Sequence, residues 1–315
     1  MDFKQVPKKY RPIPFWSWNE KLEPSETKRQ AKEMARIGMG GFFMHARGGL
    51  ETEYMSDEWF DNVEAATAQS EDDGTKAWAY DENGWPSGFG NGMVNGLGVE
   101  YQQKYLRFED GEKQTDTTII NKDGVHFYYE INPFYVDTLD SKVTDKFIEL
   151  IYEPYYKKFK NRITGFFTDE PQISRNGLPW SFIMPETYKE RYGDNLLDKL
   201  IELFKPVGDY KRTRIRYWKM VTDLFSNNFM KPIYDWCDEH KLKLQGIWCV
   251  RKAWVHSLRQ TVLVCRITNI FIFPVLISST VKSMIGLPLF RWEAPHISSE
   301  KNRRLPRALR FADIM

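Results

Sequence analysis

The sequence predicts an α/β protein: part of a (β/α)8 TIM-type barrel with a small antiparallel β insertion after the third strand, followed by a tail of uncertain structure. Three observations lead there. Short apolar runs alternate with stretches of helical periodicity from residue 13 onward. The runs are continuously apolar instead of alternating, as in a parallel sheet covered on both faces. Polar residues follow the apolar runs directly, where a parallel barrel keeps its active site.

Taken in order, residues 13–18 are a short apolar and aromatic run ending at Asn19, and Pro24-Ser-Glu-Thr opens a helix with Ala31, Met34, Ala35 and Ile37 on one side. GGFFMHARGG at 40–49 reads as a buried second strand. Residues 56–70 read as a helix that starts at a Ser cap with acidic residues in its first turn. Residues 76–80 form the third strand and end in Asp81-Glu82. The regularity then breaks over 96–136, where YLRFE, TTIINKDGVHFYYEI and the Asp123-Gly124 pair indicate antiparallel strands with a tight turn. A helix over 141–160 leads to the fourth strand at 163–168, which runs into Asp169-Glu170-Pro171. Two more helices are expected over 184–204 and 209–240, with a fifth strand starting at 243–246. The expected domains are an incomplete barrel over 1–246 and a separate tail over 247–315.

Composition narrows the function. The 45 basic and 43 acidic residues are interspersed and leave a formal charge of +2, so no broad electrostatic footprint for nucleic acid exists. Cys237, Cys249 and Cys265 form neither a disulfide framework nor a CxxC metal motif. The N-terminus MDFKQVPKKYRPIPFW lacks the apolar run of a signal peptide, so the expected location is the cytoplasm. Nothing in the sequence sets an oligomeric state.

The candidate site residues are those at the strand ends. The first strand supplies Trp16, Trp18 and Asn19, the second His45 and Arg47, the third Tyr80, Asp81 and Glu82 followed by Gly84-Trp85-Pro86-Ser87-Gly88, and the fourth Asp169 and Glu170. Glycosidic cleavage ordinarily uses two carboxyl groups, one protonated to release the leaving oxygen and one ionised to activate water or attack the sugar. Glu170 and Asp169 are the catalytic candidates. Glu170 precedes a proline that interrupts regular structure; a helix-capping or salt-bridge role is the alternative for it, and capping or orienting its neighbour is the alternative for Asp169. Asp81 and Glu82 suit sugar hydroxyls, a metal ion, or the amides of their own loop. His45 and Arg47 suit a polar floor, or a structural pair of Arg47 with Asp81 or Glu82. Trp16, Trp18 and Trp85 suit either a sugar-stacking platform or packing. The expected partner is a carbohydrate.

FWSWN at 15–19, GGFFMHARGG at 40–49, YDENGWPSG at 80–88 and FFTDEP at 166–171, in this order, resemble the barrel domain of glycoside hydrolase family 106, the α-L-rhamnosidases and their relatives. The resemblance covers residues 10–246; YDENGWPSG and TDEP are its specific parts. It implies a large multidomain enzyme, an inverting mechanism with a pair of glutamates, a catalytic carboxylate at Glu170 with acid or base left open, and Ca2+ as a cofactor whose ligands it does not assign.

From Ile247 the chain mixes arginines into apolar runs without helical or strand period. A membrane segment over 262–285 is interrupted by Arg266, Asn269, Ser278, Ser279 and Lys282, so a span is not expected. A shifted reading frame explains the change better. Restoring one nucleotide, a C, after the Gly246 codon lets the codons of IWCVRKAWV read HMVCEESLG, those of TVLVCRITNIFIFPVLI read NGACMPHYEYFHIPGID, and those of RWEAPHISSEK read QVGSAAYQLGK. Several of these resemble later barrel strands of the same family, with a Glu-Glu pair directly after the fifth strand. In the chain as written, Val250-Arg251-Lys252-Ala253 stand there instead. The expected product is an inactive glycosidase fragment with unpaired sheet edges. A noncatalytic sugar-binding remnant is the alternative, and a membrane-associated protein with a genuine hydrophobic tail is a further, less favoured one.

Overall fold

The structure, a computed structural model, describes residues 6–249 and 274–277. In chain order the elements are β1 (Phe15–Trp18), α1 (Pro24–Arg36), β2 (Gly41–Ala46), α2 (Asp57–Asp73) and β3 (Lys76–Asn83), then β4 (Gln102–Asp110), β5 (Thr118–Lys122) and β6 (Val125–Val136). There follow α3 (Ser141–Phe147), α4 (Glu153–Phe159), β7 (Gly165–Asp169), β8 (Leu178–Trp180), α5 (Met184–Tyr192), α6 (Leu200–Phe204), α7 (Tyr210–Phe225), α8 (Lys231–Glu239), β9 (Lys243–Cys249) and β10 (Pro274–Ile277). All of them fall within the compact unit of residues 1–278.

Two sheets result. The first is parallel, in the order β1-β2-β3-β7-β9-β10, and the second is antiparallel, in the order β5-β6-β4-β8. The parallel strands keep sequence order across the sheet, with helices in the connections up to β9, which is the arrangement of successive βα units. Close approach of its strands selects glycine at two strand starts. A Cβ on Gly41 would stand 2.1 Å from the Lys76 carbonyl oxygen, and one on Gly165 would stand 1.9 Å from that of Lys243. No side chain fits there.

One face of the parallel sheet, with Phe42, Met44, Ala46, Ala77, Ala79 and Phe166, joins the main hydrophobic core with Trp59 and Val63 of α2 and Tyr152 and Tyr155 near α4. The other face carries a smaller aromatic cluster of Phe43, Trp78, Tyr80 and Phe167, against which Ile13 and Ile247 pack. Local chemistry sets the helix ends: the Ser56 hydroxyl accepts the Trp59 amide at 3.2 Å to start α2, and Gly74 in the left-handed region stops it.

Several expected boundaries move. The helix expected over 184–204 is broken after Tyr192, because Gly193 takes φ 72° and the Asn195 side chain caps a new turn at Leu197. The helices expected over 141–160 and 209–240 each pass through a π turn, at Ile148–Tyr152 and Ser226–Met230. The third strand continues to Asn83, so Asp81 and Glu82 lie inside it. The short strand β8, which extends the antiparallel sheet beside β4, was not expected from sequence. The expected boundary at residue 246 falls within β9; 250–273 and 278–315 of the expected tail lie outside the described residues. Among the described residues no helix is long and apolar enough to cross a membrane.

Candidate active site

Strand parity decides which strand-end residues meet. Parallel pairing puts Phe15 beside Phe43 and Ser17 beside His45, and Phe15 lies within 4.8–6.5 Å, ring to ring, of Phe43, His45, Tyr80 and Phe167. His45, Tyr80 and Asp169 therefore share the face of the smaller aromatic cluster, called the inner face. Trp16 and Trp18 take the opposite face, where the Trp16 indole donates to Gln30 of α1 and Trp18 packs edge-on to Trp59. Trp18 is 2% exposed. These two tryptophans serve sheet–helix packing and are not brought to the inner face; Asn19 lies just past β1, exposed.

At the end of β7 the backbone turns left-handed at Glu170, with φ 46°, a conformation costing a non-glycine residue about 1 kcal/mol. The turn separates the neighbours: Asp169 accepts the Tyr80 hydroxyl at 2.7 Å on the inner face, and Glu170 Oε2 accepts the indole N–H of Trp85 at 3.1 Å at the rim. Burial raises the Asp169 carboxyl, while the Tyr80 hydroxyl and Arg47 pull it down. Trp85 is 41% exposed, and the Arg175 guanidinium lies 4.3 Å over its ring. Of the three expected tryptophans, Trp85 is the exposed one.

His45 is 4% exposed, its ring lies 3.7 Å from that of Tyr80, and neither ring nitrogen has a partner. Burial, with Arg47 nearby, pushes it down to about 3, so it is neutral at physiological pH. Arg47 is exposed and makes no ion pair with Asp81 or Glu82, so the structural pair, one of the two alternatives for it, is not formed.

Asp81 and Glu82 are fully buried and hold the loop that carries Trp85. Glu82 Oε1 accepts the amides of Asn83 and Asn91, and Oε2 accepts those of Gly88, Phe89 and Gly90, at 2.6–3.2 Å. Asp81 accepts the hydroxyls of Ser87 at 2.5 Å and Tyr152 at 2.6 Å. Burial raises both carboxyls, Asp81 to about 7; in Glu82 the amide donors oppose the rise. With their oxygens so engaged, the two do not fit a calcium ion, and among the described residues no group of three His, Cys, Asp or Glu side chains could hold a metal.

The fold is similar to that of solved glycosidases. A rhamnosidase from Novosphingobium sp. PP1Y matches with a TM-score of 0.56 at 11% identity, over 78% of this chain and 46% of its own. A β-galactosidase from the psychrophilic Marinomonas ef1 matches with a TM-score of 0.51 at 10% identity, over 89% of this chain and 42% of its own. At such identities the likeness is one of fold, and this chain spans less than half the length of either protein. No protein-family model matches the chain, and no curated protein matches it.

Within this glycosidase-like fold, sequence reasoning missed Ser87 as a junction, Tyr152 as the partner of Asp81, and Arg175 over Trp85. Ser87 stood in the GWPSG string that was singled out, without a partner to give it meaning. Tyr152 and Arg175 had no signal, since their contacts cross 71 and 90 positions of chain.

Proposed function

We propose that this chain is the N-terminal part of a (β/α)-barrel glycoside hydrolase of the α-L-rhamnosidase-like family 106, with Glu170 as one catalytic carboxylate. The observation that carries the reading is the Trp85–Glu170 pair: a carboxylate held in a left-handed turn at the C-terminal end of a parallel strand, bonded to a half-exposed tryptophan. In this reading a sugar lying on Trp85 meets Glu170 at its edge, and the bond of Asp169 to the buried Tyr80, which packs on neutral His45, anchors the strand end that carries Glu170. The fold likeness to a rhamnosidase supports the same reading. Asp169, tied to Tyr80, orients the turn and is not the second catalytic group in this proposal.

The partner of Glu170 belongs after β9, across the sheet end, where the written chain has Val250-Arg251-Lys252-Ala253. A frameshift after the Gly246 codon accounts for that loss and leaves residual turnover at most. The same observation favours a second reading, a sugar-binding remnant without catalysis. Incubating the chain and Glu170→Gln with an aryl α-L-rhamnoside separates the two. Turnover lost in Glu170→Gln supports residual catalysis, binding without turnover supports the remnant, and neither binding nor turnover defeats both. Resequencing through the Gly246 codon tests the frameshift: unbroken reads, with downstream codons that restore no family-like text, refute it.

A further inference from the structure

We infer that Ser87 is the positioning residue of this site: it locks the loop bearing Trp85 to the strand end bearing Glu170 and thereby sets the Trp85–Glu170 hydrogen bond. The inference rests on reading that pair as the centre of the proposed carbohydrate site. Ser87 is completely buried, and each of its polar atoms is used. Its amide donates to the Asp169 carbonyl at 2.8 Å, and its hydroxyl accepts the Asp169 amide at 2.7 Å. The same hydroxyl donates to Asp81 at the root of the loop, and its carbonyl accepts the Tyr135 hydroxyl at 2.7 Å. Tyr135 in turn accepts the Gln172 amide at 3.0 Å. Glu170 is therefore held from both sides, at 169 directly and at 172 through Tyr135.

Packing does not supply this control, because the Trp85 ring is 41% exposed and its indole N–H reaches a rim carboxylate. The Tyr80 hydroxyl also lies between the two parts, 3.1 Å from the Gly84 carbonyl and 2.7 Å from the Asp169 carboxylate, but it meets Asp169 only at the side chain, whereas Ser87 grips the backbone on the residue preceding the left-handed turn. Replacing Ser87 with Ala takes a partner from the Asp169 amide and from one Asp81 oxygen, and the turn shifts to find them others. Trp85 and Glu170 then separate while both residues remain.

The test uses the full chain labelled with 15N and follows the indole N–H resonances of its 11 tryptophans with pH. The Trp85 signal is the one lost in Trp85→Phe. In the unsubstituted chain it is expected to show a titration step that Glu170→Gln removes. Ser87→Ala is expected to lose that step while the thermal melt stays cooperative. Should Ser87→Ala fail to fold, Tyr135→Phe, which removes only the outer hydroxyl, takes its place and is expected to diminish the step. A full step in the folded variant overturns the inference, as does the absence of any Glu170-dependent step in the unsubstituted chain. The readout needs no turnover, so a Ser87-dependent step in a chain without glycoside binding sinks the functional reading and leaves the positioning role standing.

Discussion

Replacing His45 with Phe should remove a large part of the acid sensitivity of the fold. His45 is 4% exposed, has no hydrogen-bond partner on either ring nitrogen, and packs against Phe15 and Tyr80, with Arg47 the charged group that acts on it. Its folded value is about 3 against 6.5 for the free side chain. The unfolded chain therefore binds the proton more readily, and stability contributed by neutral His45 is fully present above about pH 6.5 and is lost as pH falls toward 3. At roughly 1.4 kcal/mol per unit, the loss between pH 7.5 and 4.5 is about 2 to 3 kcal/mol. Phe has nearly the same shape and suits the aromatic surroundings, so the variant should keep that part. Urea unfolding followed by circular dichroism at the two pH values gives four stabilities. The carboxylates titrate alike in both proteins and cancel in the double difference. Equal losses in the two proteins would refute the assignment of His45 as a buried neutral base.

Three other outcomes follow from the same contacts. Glu82→Ala removes the acceptor of five loop amides and should cost at least about 3 kcal/mol in urea unfolding, since each buried donor left without a partner costs about 1–3 kcal/mol; a cost under about 1 kcal/mol would show that water fills the loop. Trp59→Ala, at a fully buried ring, should cost about 3–5 kcal/mol, while Trp85→Ala should cost under about 1 kcal/mol and act on ligand binding, and equal thermal shifts would argue against Trp85 as a surface platform. Tyr80→Phe takes from Asp169 a donor that opposes the effect of burial, so its carboxyl should titrate higher still in 13C-detected titrations; an unmoved or lowered value contradicts the bond.

The parallel strands and most helices were legible because their signals are local: apolar run length, helical spacing and a Ser cap at Ser56. Glu170 was legible for the same reason, as a carboxylate directly after an apolar run and before a proline. What could not be read is what depends on distant partners. Whether Glu82 faced a ligand or its own loop turned on five amides that fold back onto it between residues 83 and 91. The strand β8 is three residues long, too short for any period to show, and exists because β4 offers it an edge. Arg175 carries no local mark of its position over Trp85.

The tryptophans of FWSWN expose a step that a reading by strand ends alone leaves out. Side chains alternate across a strand, so two residues at i and i+2 share a face and the residue between them takes the other. Phe15 belongs to the inner aromatic cluster by its contacts with Tyr80 and Phe167. Trp16 and Trp18 must then face the helices, and Ser17, small and polar, is the residue presented beside His45. The same parity divides the acidic pairs. Asp81 follows Ala77 and Ala79 onto the helix side and meets Tyr152, whereas Asp169 follows Phe167 onto the inner side and meets Tyr80. Glu170 escapes the alternation only because its backbone turns left-handed. That single dihedral lets two adjacent carboxylates serve different surfaces, Asp169 bonded to Tyr80 and Glu170 bonded to the indole of Trp85.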